Sequence, residues 1–387
     1  MSQTLSEQMQ ACIDSFNDWS RARAKKKFGD DSPLARVLNR RFGINEAAEM
    51  IGVTSEAIRK AEKEGRLPQP EYKESNSPRP IRLGYTLAQI DHMRDVFKKQ
   101  PYQVMETYPI TVSVPGGKGG CWKTSTAVHL AQWLSLKGYR VLFVDIDPQA
   151  HGSMYFGYHP ELNTDVNDTV LPFMLGEKDD LTYCINETAW PKLEIIASNL
   201  QLQRIESELL EADIEYPADQ MLRAGLMTVQ DSYDVIIIDG HPDLGLGTTN
   251  MICASDVVLI ATSAEVNDMN STCQLMGLIR DIYRPNGPEQ LDEPYVRVLP
   301  TKLGAEHSSS LKNVQDMHRF WSGMPLNSGV YFTDEVGKGQ RKGVTIYEQN
   351  GASERSSPAA WKRATAIYDA PFNEILDTIL KPMWEAE

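Results

Sequence analysis

The run Gly116-Gly117-Lys118-Gly119-Gly120-Cys121-Trp122-Lys123-Thr124-Ser125 lies between two apolar segments. Ile110 to Val114 precedes it, and Val128, Leu130, Ala131, Leu134 and Leu136 follow at helical spacing. A strand that breaks into glycines, then Lys-Thr, then a helix has few ways to fold. The glycines let backbone N–H groups turn inward around an anion, and the helix start adds positive potential. The layout therefore predicts a phosphate-binding loop. In it Gly117, Gly119, Gly120, Cys121, Trp122 and Ser125 supply backbone, and Lys123 neutralises phosphate charge. Thr124 puts a hydroxyl where a Mg²⁺ ion would sit. Trp122 stands where such loops ordinarily have glycine, and Lys118 is an extra lysine near the loop's start.

Two further runs have the same logic. Val141-Leu142-Phe143-Val144-Asp145-Ile146-Asp147-Pro148-Gln149 and Val235-Ile236-Ile237-Ile238-Asp239 read as buried parallel strands that end in acids. In open α/β sheets, ligands bind outside the carboxyl ends of the strands. Asp145, Asp147 and Asp239 are thus expected on the rim that holds the loop. Leu193 to Ile196, Val257 to Ala261 and Val296 to Leu299 add strands, with helical patterns between them. The expected fold is α/β: a doubly wound, mainly parallel sheet over residues 110–387, with a final helix from Pro358 to Met383.

The front of the chain differs. Residues 1–100 hold 18 Lys/Arg and 14 Asp/Glu, a balance of +4, while the remainder carries −18 of the total −14. A basic front on an acidic body points that front toward a polyanion. Leu5, Met9, Cys12, Ile13, Phe16 and Trp19 recur near helical spacing within residues 1–40, followed by the basic cluster Arg21, Arg23, Lys25, Lys26 and Lys27. That apolar stripe suits either internal packing or a dimer contact. Residues 41–100 read as a winged helix-turn-helix. Ala47, Ala48 and Ile51 give a first helix its inner face, Gly52 the turn, and Thr54 the cap of a second helix that Gly65 ends. Ala57, Ile58 and Ala61 face inward, which leaves Ser55, Glu56, Arg59, Lys60 and Lys63 for DNA, with Arg82 on the wing. A linker is expected over 101–109.

Composition excludes some classes. No apolar run approaches the roughly 18 residues of a membrane helix, and the polar N-terminus is no signal peptide. Five cysteines with no C-x-x-C pair argue for reduced thiols in a cytosol, against a zinc site and against a cluster-type electron carrier.

Lys118-Gly119-Gly120-Cys121-Trp122-Lys123-Thr124 resembles the K-G-G-x-x-K-T deviant Walker A signature of the ParA/MinD family. Asp145-Ile146-Asp147-Pro148-Gln149 is similar to the D-x-D-P-Q motif of its ParA branch, and Val235 to Asp239 to its Walker B strand. Leu171-Pro172-Phe173 and Thr333 to Gln340 resemble blocks of its long plasmid members, so the likeness runs through nearly the whole chain. The resemblance implies an ATPase using ATP/ADP and Mg²⁺, with weak basal turnover. It implies that Lys118 reaches across a nucleotide-sandwich homodimer, that Asp147 positions or activates the attacking water, and that Thr124 and Asp239 hold the metal, with Asp145 either facing it or standing behind its ligands. It places Thr301 and Lys302 near adenine, and it gives Lys338, Arg341 and Lys342 to non-specific nucleoid DNA. It further implies a ParB/SopB-like centromere-binding partner, operator binding with autorepression by the front of the chain, and a cytoplasmic, nucleoid-associated protein. A nucleotide-sensing repressor and a MinD-like membrane-recruited ATPase are the alternatives. The acidic, proline-containing tail from Ile379 to Glu387 suits a membrane anchor poorly.

Overall fold

The computed structural model describes residues 5–28, 37–73, 80–101, 109–212, 214–284, 291–304, 308–342, 344–349 and 357–386. The expected linker, apart from its two end residues, lies outside these. So do Arg79 and the side chains of Arg21, Arg23, Lys25, Lys26, Lys27 and Lys342.

The front is helical. Helix α1 spans Leu5–Phe28 and leaves Met9, Ile13, Phe16 and Trp19 exposed. Helices α2 (Ile44–Ile51) and α3 (Ser55–Lys63) are joined through Gly52, which sits at φ 75°. That left-handed turn suits glycine. The Thr54 side chain caps α3 by accepting from the Ala57 N–H at 3.2 Å. Ala47, Ala48, Ile51, Ile58 and Ala61 are buried between the two helices and α4 (Leu87–Phe97). Strands β1 (Tyr72–Lys73) and β2 (Ile81–Arg82) pair antiparallel beside them.

The rest of the chain surrounds a seven-stranded sheet. Its strands are β3 (Ile110–Val114), β4 (Val141–Asp145), β5 (Asn186–Glu187), β6 (Leu193–Ile196), β7 (Val235–Asp239), β8 (Val257–Ser263) and β9 (Tyr295–Thr301). Their order is β5-β6-β4-β7-β3-β8-β9, parallel throughout except at the β5 edge. Strands β3, β4 and β7 are wholly buried because helices cover both faces. Val141, Phe143, Val235 and Ile237 meet helix α5 (Lys123–Lys137) and the C-terminal helix Pro358–Ile375. Leu142, Val144, Ile236 and Ile238 meet Leu171–Met174, Met221–Met227 and the helix Leu246–Cys253 on the other face. This alternation makes the sheet doubly wound.

Two buried arginines hold the front onto this body. Arg94 of α4 pairs with Asp91 and donates to the Leu136 carbonyl, in the last turn of α5. Arg40 donates to the Tyr347 carbonyl at 2.9 Å, pairs with Glu46, and lies over the rings of Phe42 and Trp361.

Candidate functional site

Parallel pairing sets the site. Val114, the last residue of β3, is opposite Asp239, and Asp145 is opposite Asp239 on the other side. The loop after β3 and both acids therefore share one rim. Within the loop, Lys123 is buried and folds back so that its ammonium donates to the Lys118 carbonyl at 3.2 Å. A Cβ on Gly116 would stand 2.4 Å from the Lys123 side chain, and one on Gly117 would stand 2.9 Å from the Ser271 carbonyl oxygen. Glycine is required at both positions for the chain to pass. Gly120 lies at φ 83° and Trp122 at φ 65°. The indole stacks on Phe332, ring centroids 6.1 Å apart. An ordinary side chain thus occupies the left-handed conformation that glycine usually fills.

The three acids have different environments. Asp145 is fully buried and accepts from the Asp147 N–H at 3.0 Å and from both the N–H and hydroxyl of Ser153 at 2.7 Å. Of the two expected roles, facing the metal or standing behind its ligands, these contacts suit the second: both oxygens brace the turn that carries Asp147. Asp239 is equally buried, yet neither carboxylate oxygen has a hydrogen-bond partner. Burial raises the pKa of both; the charge of Asp145 adds to the rise at Asp239, and that of Asp147 to the rise at Asp145. The Thr124 hydroxyl and Lys123 oppose the rise at Asp239, and the Ser153 donors oppose it at Asp145. At Asp147 burial acts upward but is outweighed by His151, the Gln149 N–H and His241, which hold it below the usual carboxylate range. His151 stands 3.7 Å from Asp147, whose carboxylate raises the histidine's pKa. Sequence reasoning missed His151; its place at the start of the helix His151–Phe156, just past the Asp147-Pro148-Gln149 turn, is the signal that was there. His241 pairs with Asp243 at 2.9 Å.

The remaining expected residues divide. Thr301, buried at the end of β9, donates to the Cys121 carbonyl at 2.8 Å, so it steadies the loop. Lys302 sits at φ 55° with its ammonium 3.8 Å from where a Cβ on Gly120 would be. Lys118 is half-exposed and pairs within its own chain with Asp268, a partner that sequence reasoning did not foresee. Arg59, Lys60 and Lys63 are exposed on α3, and Ser55 is half-buried at its start. Arg82, the expected wing contact, is partly exposed and has an internal role. It is folded onto the buried Glu62 and the Tyr85 hydroxyl, where it ties β2 to α3. Arg341 and Lys338 are exposed on the helix Asp334–Lys342, and Lys338 lies 3.5 Å from Glu335.

A doubly wound parallel sheet with a glycine-bounded lysine loop beside an unpartnered buried acid defines a P-loop nucleotide-binding protein. The SopA protein of Escherichia coli (strain K12) is 45% identical over 387 residues, 98% of this chain and 99% of its own. The chain belongs to the ParA family of plasmid partition ATPases. Residues 110–290 also match the family described as an AAA domain. Among solved structures, cobyrinic acid a,c-diamide synthase from Mycobacterium smegmatis, with bound ADP and magnesium, is 24% identical at a TM-score of 0.51. The match covers 58% of this chain and 88% of that one. A plasmid partition protein from Borrelia burgdorferi B31 bound to AMPPNP is 21% identical at a TM-score of 0.51, covering 68% of this chain and all of that one. At these identities the two structures speak for the fold. No helix among the described residues is long and apolar enough to cross a membrane.

Proposed function

We propose that this chain binds Mg²⁺ and ATP at the loop 116–125 and hydrolyses ATP in the service of DNA partition. The observation that carries the reading is Asp239. A buried carboxylate with both oxygens unpartnered, beside Lys123 and Thr124, is costly unless a cation completes it. Thr124 and Asp239 would hold the metal, Lys123 the β- and γ-phosphates, and Asp147 the water. The metal's chemistry would be charge neutralisation on the phosphates. Asp145 contributes by fixing the Asp147 turn, and Thr301 and Lys302 by shaping the loop's far side. In phosphoryl transfer the protein's work is positioning and charge, which these groups supply.

The finer parts of the reading rest on the family. ATP drives a homodimer in which Lys118 meets the partner's nucleotide. The dimer binds nucleoid DNA through Lys338, Arg341 and Lys342, with a salt-sensitive affinity. A ParB/SopB-like protein stimulates hydrolysis. The α2–α3 pair reads operator DNA through Ser55, Arg59, Lys60 and Lys63, making the protein its own repressor, located on the nucleoid in the cytoplasm. In domain terms, 1–40 serves dimerisation, 41–100 operator binding, 101–109 links, and 110–387 is the ATPase.

ATP turnover measured with and without non-specific DNA plus the ParB-like protein encoded nearby tests this. Weak basal turnover, joint stimulation, and a loss of ~100-fold or more in Lys123→Ala are expected. Tight nucleotide binding with no stimulated turnover would favour a nucleotide-sensing repressor instead.

A further inference from the structure

Asp147 is held from several sides. Its carbonyl accepts from the Ala150 N–H at 2.7 Å and from the Ser198 hydroxyl at 2.5 Å, and its Oδ1 accepts from the Gln149 N–H at 2.9 Å. The other carboxylate oxygen, Oδ2, faces His151 Nδ1 at 3.7 Å. Ala150, just before the histidine, has a φ of 52°, a strained left-handed conformation for alanine that turns the chain back toward the acid. The Asp147 side chain is 6% exposed and that of His151 is 61% exposed, so the pair leads from a buried carboxylate to open water. The other charges that bear on this corner are Asp145 at the end of β4, Asp239 at the end of β7, and the His241–Asp243 pair after β7. At Asp147 the upward pull of burial is outweighed by His151 and the Gln149 N–H, while the Asp147 carboxylate holds His151 above its ordinary value. A proton that reaches Asp147 therefore moves downhill to His151.

We propose that His151 is a positioning residue for Asp147 and takes over the proton that Asp147 draws from the attacking water. This rests on the proposed role of Asp147 and adds the place where its proton goes. A lone pair of the water oxygen forms the bond to the γ-phosphorus, and the bridging oxygen keeps the electron pair of the bond that breaks as ADP leaves. The proton lost by the water passes to Asp147 Oδ2, then to His151 Nδ1, and from the exposed imidazole to solvent. A carboxylate held as acidic as Asp147 is a weak base alone, and a neutral imidazole behind it makes the transfer complete. Catalytic hydrogen bonds as long as 3.7 Å tighten in the substrate complex.

The test is single-turnover hydrolysis of bound Mg-ATP by the full chain, which reads the chemical step without product release, from about pH 6 to about pH 9. The parent's rate should rise with pH and level off above the pKa of His151, which accepts a proton only when neutral. His151→Ala should bind Mg-ATP like the parent, hydrolyse it roughly 10- to 100-fold more slowly at about pH 8, and lose the rising limb. His151→Gln keeps the side chain's bulk and should show the same loss, which guards against a folding defect. Added imidazole should restore hydrolysis to His151→Ala through the open side of the acid and leave Asp147→Asn unchanged. His241→Asn should keep the limb. A His151→Ala protein with the parent's rate and limb overturns the relay. So does one whose lost rate imidazole does not recover, because the histidine is then only structural. A limb lost in His241→Asn and kept in His151→Ala moves the acceptor to His241 and overturns it as well. An Asp147→Asn protein that hydrolyses like the parent overturns the reading of Asp147 on which the relay rests.

Discussion

Asp239 is the residue whose isolation has the largest consequence. Burial raises its pKa, as it does that of Asp145, which is pushed up to about 7. A raised acid stabilises the fold at pH values below its unfolded pKa, near 4, and that stability is lost as pH rises through the folded pKa. Nucleotide-free protein should therefore be less stable at pH 8 than near pH 5 on account of this pair. Asp239→Asn removes the charge and is expected to raise nucleotide-free stability at pH 8 by about 1–3 kcal/mol. The gain should shrink toward pH 5, while turnover is lost. Denaturant unfolding at the two pH values reads it, and an equal gain at both would refute the electrostatic cause. Trp122 gives a second case. In its left-handed conformation Trp122→Gly relieves backbone strain that Trp122→Ala retains, while both lose the Phe332 stack. The glycine variant should be the more stable of the two by about 1 kcal/mol in thermal melts. These residues were legible in the sequence because loop and acids are local in the chain. Asp268 was not, since it meets Lys118 only through packing of a distant helix. Nor was the bracing role of Asp145, which depends on Ser153 turning back toward it.

At the scale of elements, strands were read well where both faces are covered, since continuous apolar runs survive any topology. The two-residue edge strand Asn186–Glu187 and the short helical turns between 166 and 232 carry no period long enough to detect. The front adds a contact that the sequence hides. Arg82 looks like a wing cation in sequence, yet it closes a clasp in which Tyr85 donates to Glu62 at 2.6 Å and Arg82 neutralises the same carboxylate. Arg82→Ala leaves Glu62 buried with one partner fewer, and should destabilise the front by about 1–3 kcal/mol. Lys63→Ala, on the exposed face of α3, should change stability by less than about 0.5 kcal/mol and weaken operator binding. Circular-dichroism melts beside operator titrations separate the two. Equal stability losses in both variants would mean that the clasp has no special role.

For the whole molecule, the question is how the front and the nucleotide rim are joined. Helix α5 begins at Lys123 and ends beneath Arg94, so one rod runs from the phosphate loop to the front. Along it, Ser125 bonds the Tyr368 hydroxyl at 3.2 Å, and His129 stacks on Tyr368 and approaches Tyr347. The Tyr347 carbonyl in turn receives Arg40. Arg94 is the critical joint. Asp91 has one carboxylate oxygen without a partner, and its next cation, Lys192, is 3.9 Å away. Removing Arg94 therefore strands a buried acid and strips a donor from the end of α5. Arg94→Ala should destabilise by about 3 kcal/mol or more, because a broken buried pair leaves an uncompensated charge. Arg94→Met with Asp91→Leu should recover most of that loss, since a well-packed apolar pair can replace a buried ionic one. We expect nucleotide state to set operator affinity through this joint; the double variant should then keep ATP turnover but bind operator equally in ADP and ATP, because the joint no longer senses the end of α5. Operator titrations in ADP and ATP read this directly. If the double variant keeps the parent's nucleotide dependence, coupling runs through Arg40 and Tyr347 instead.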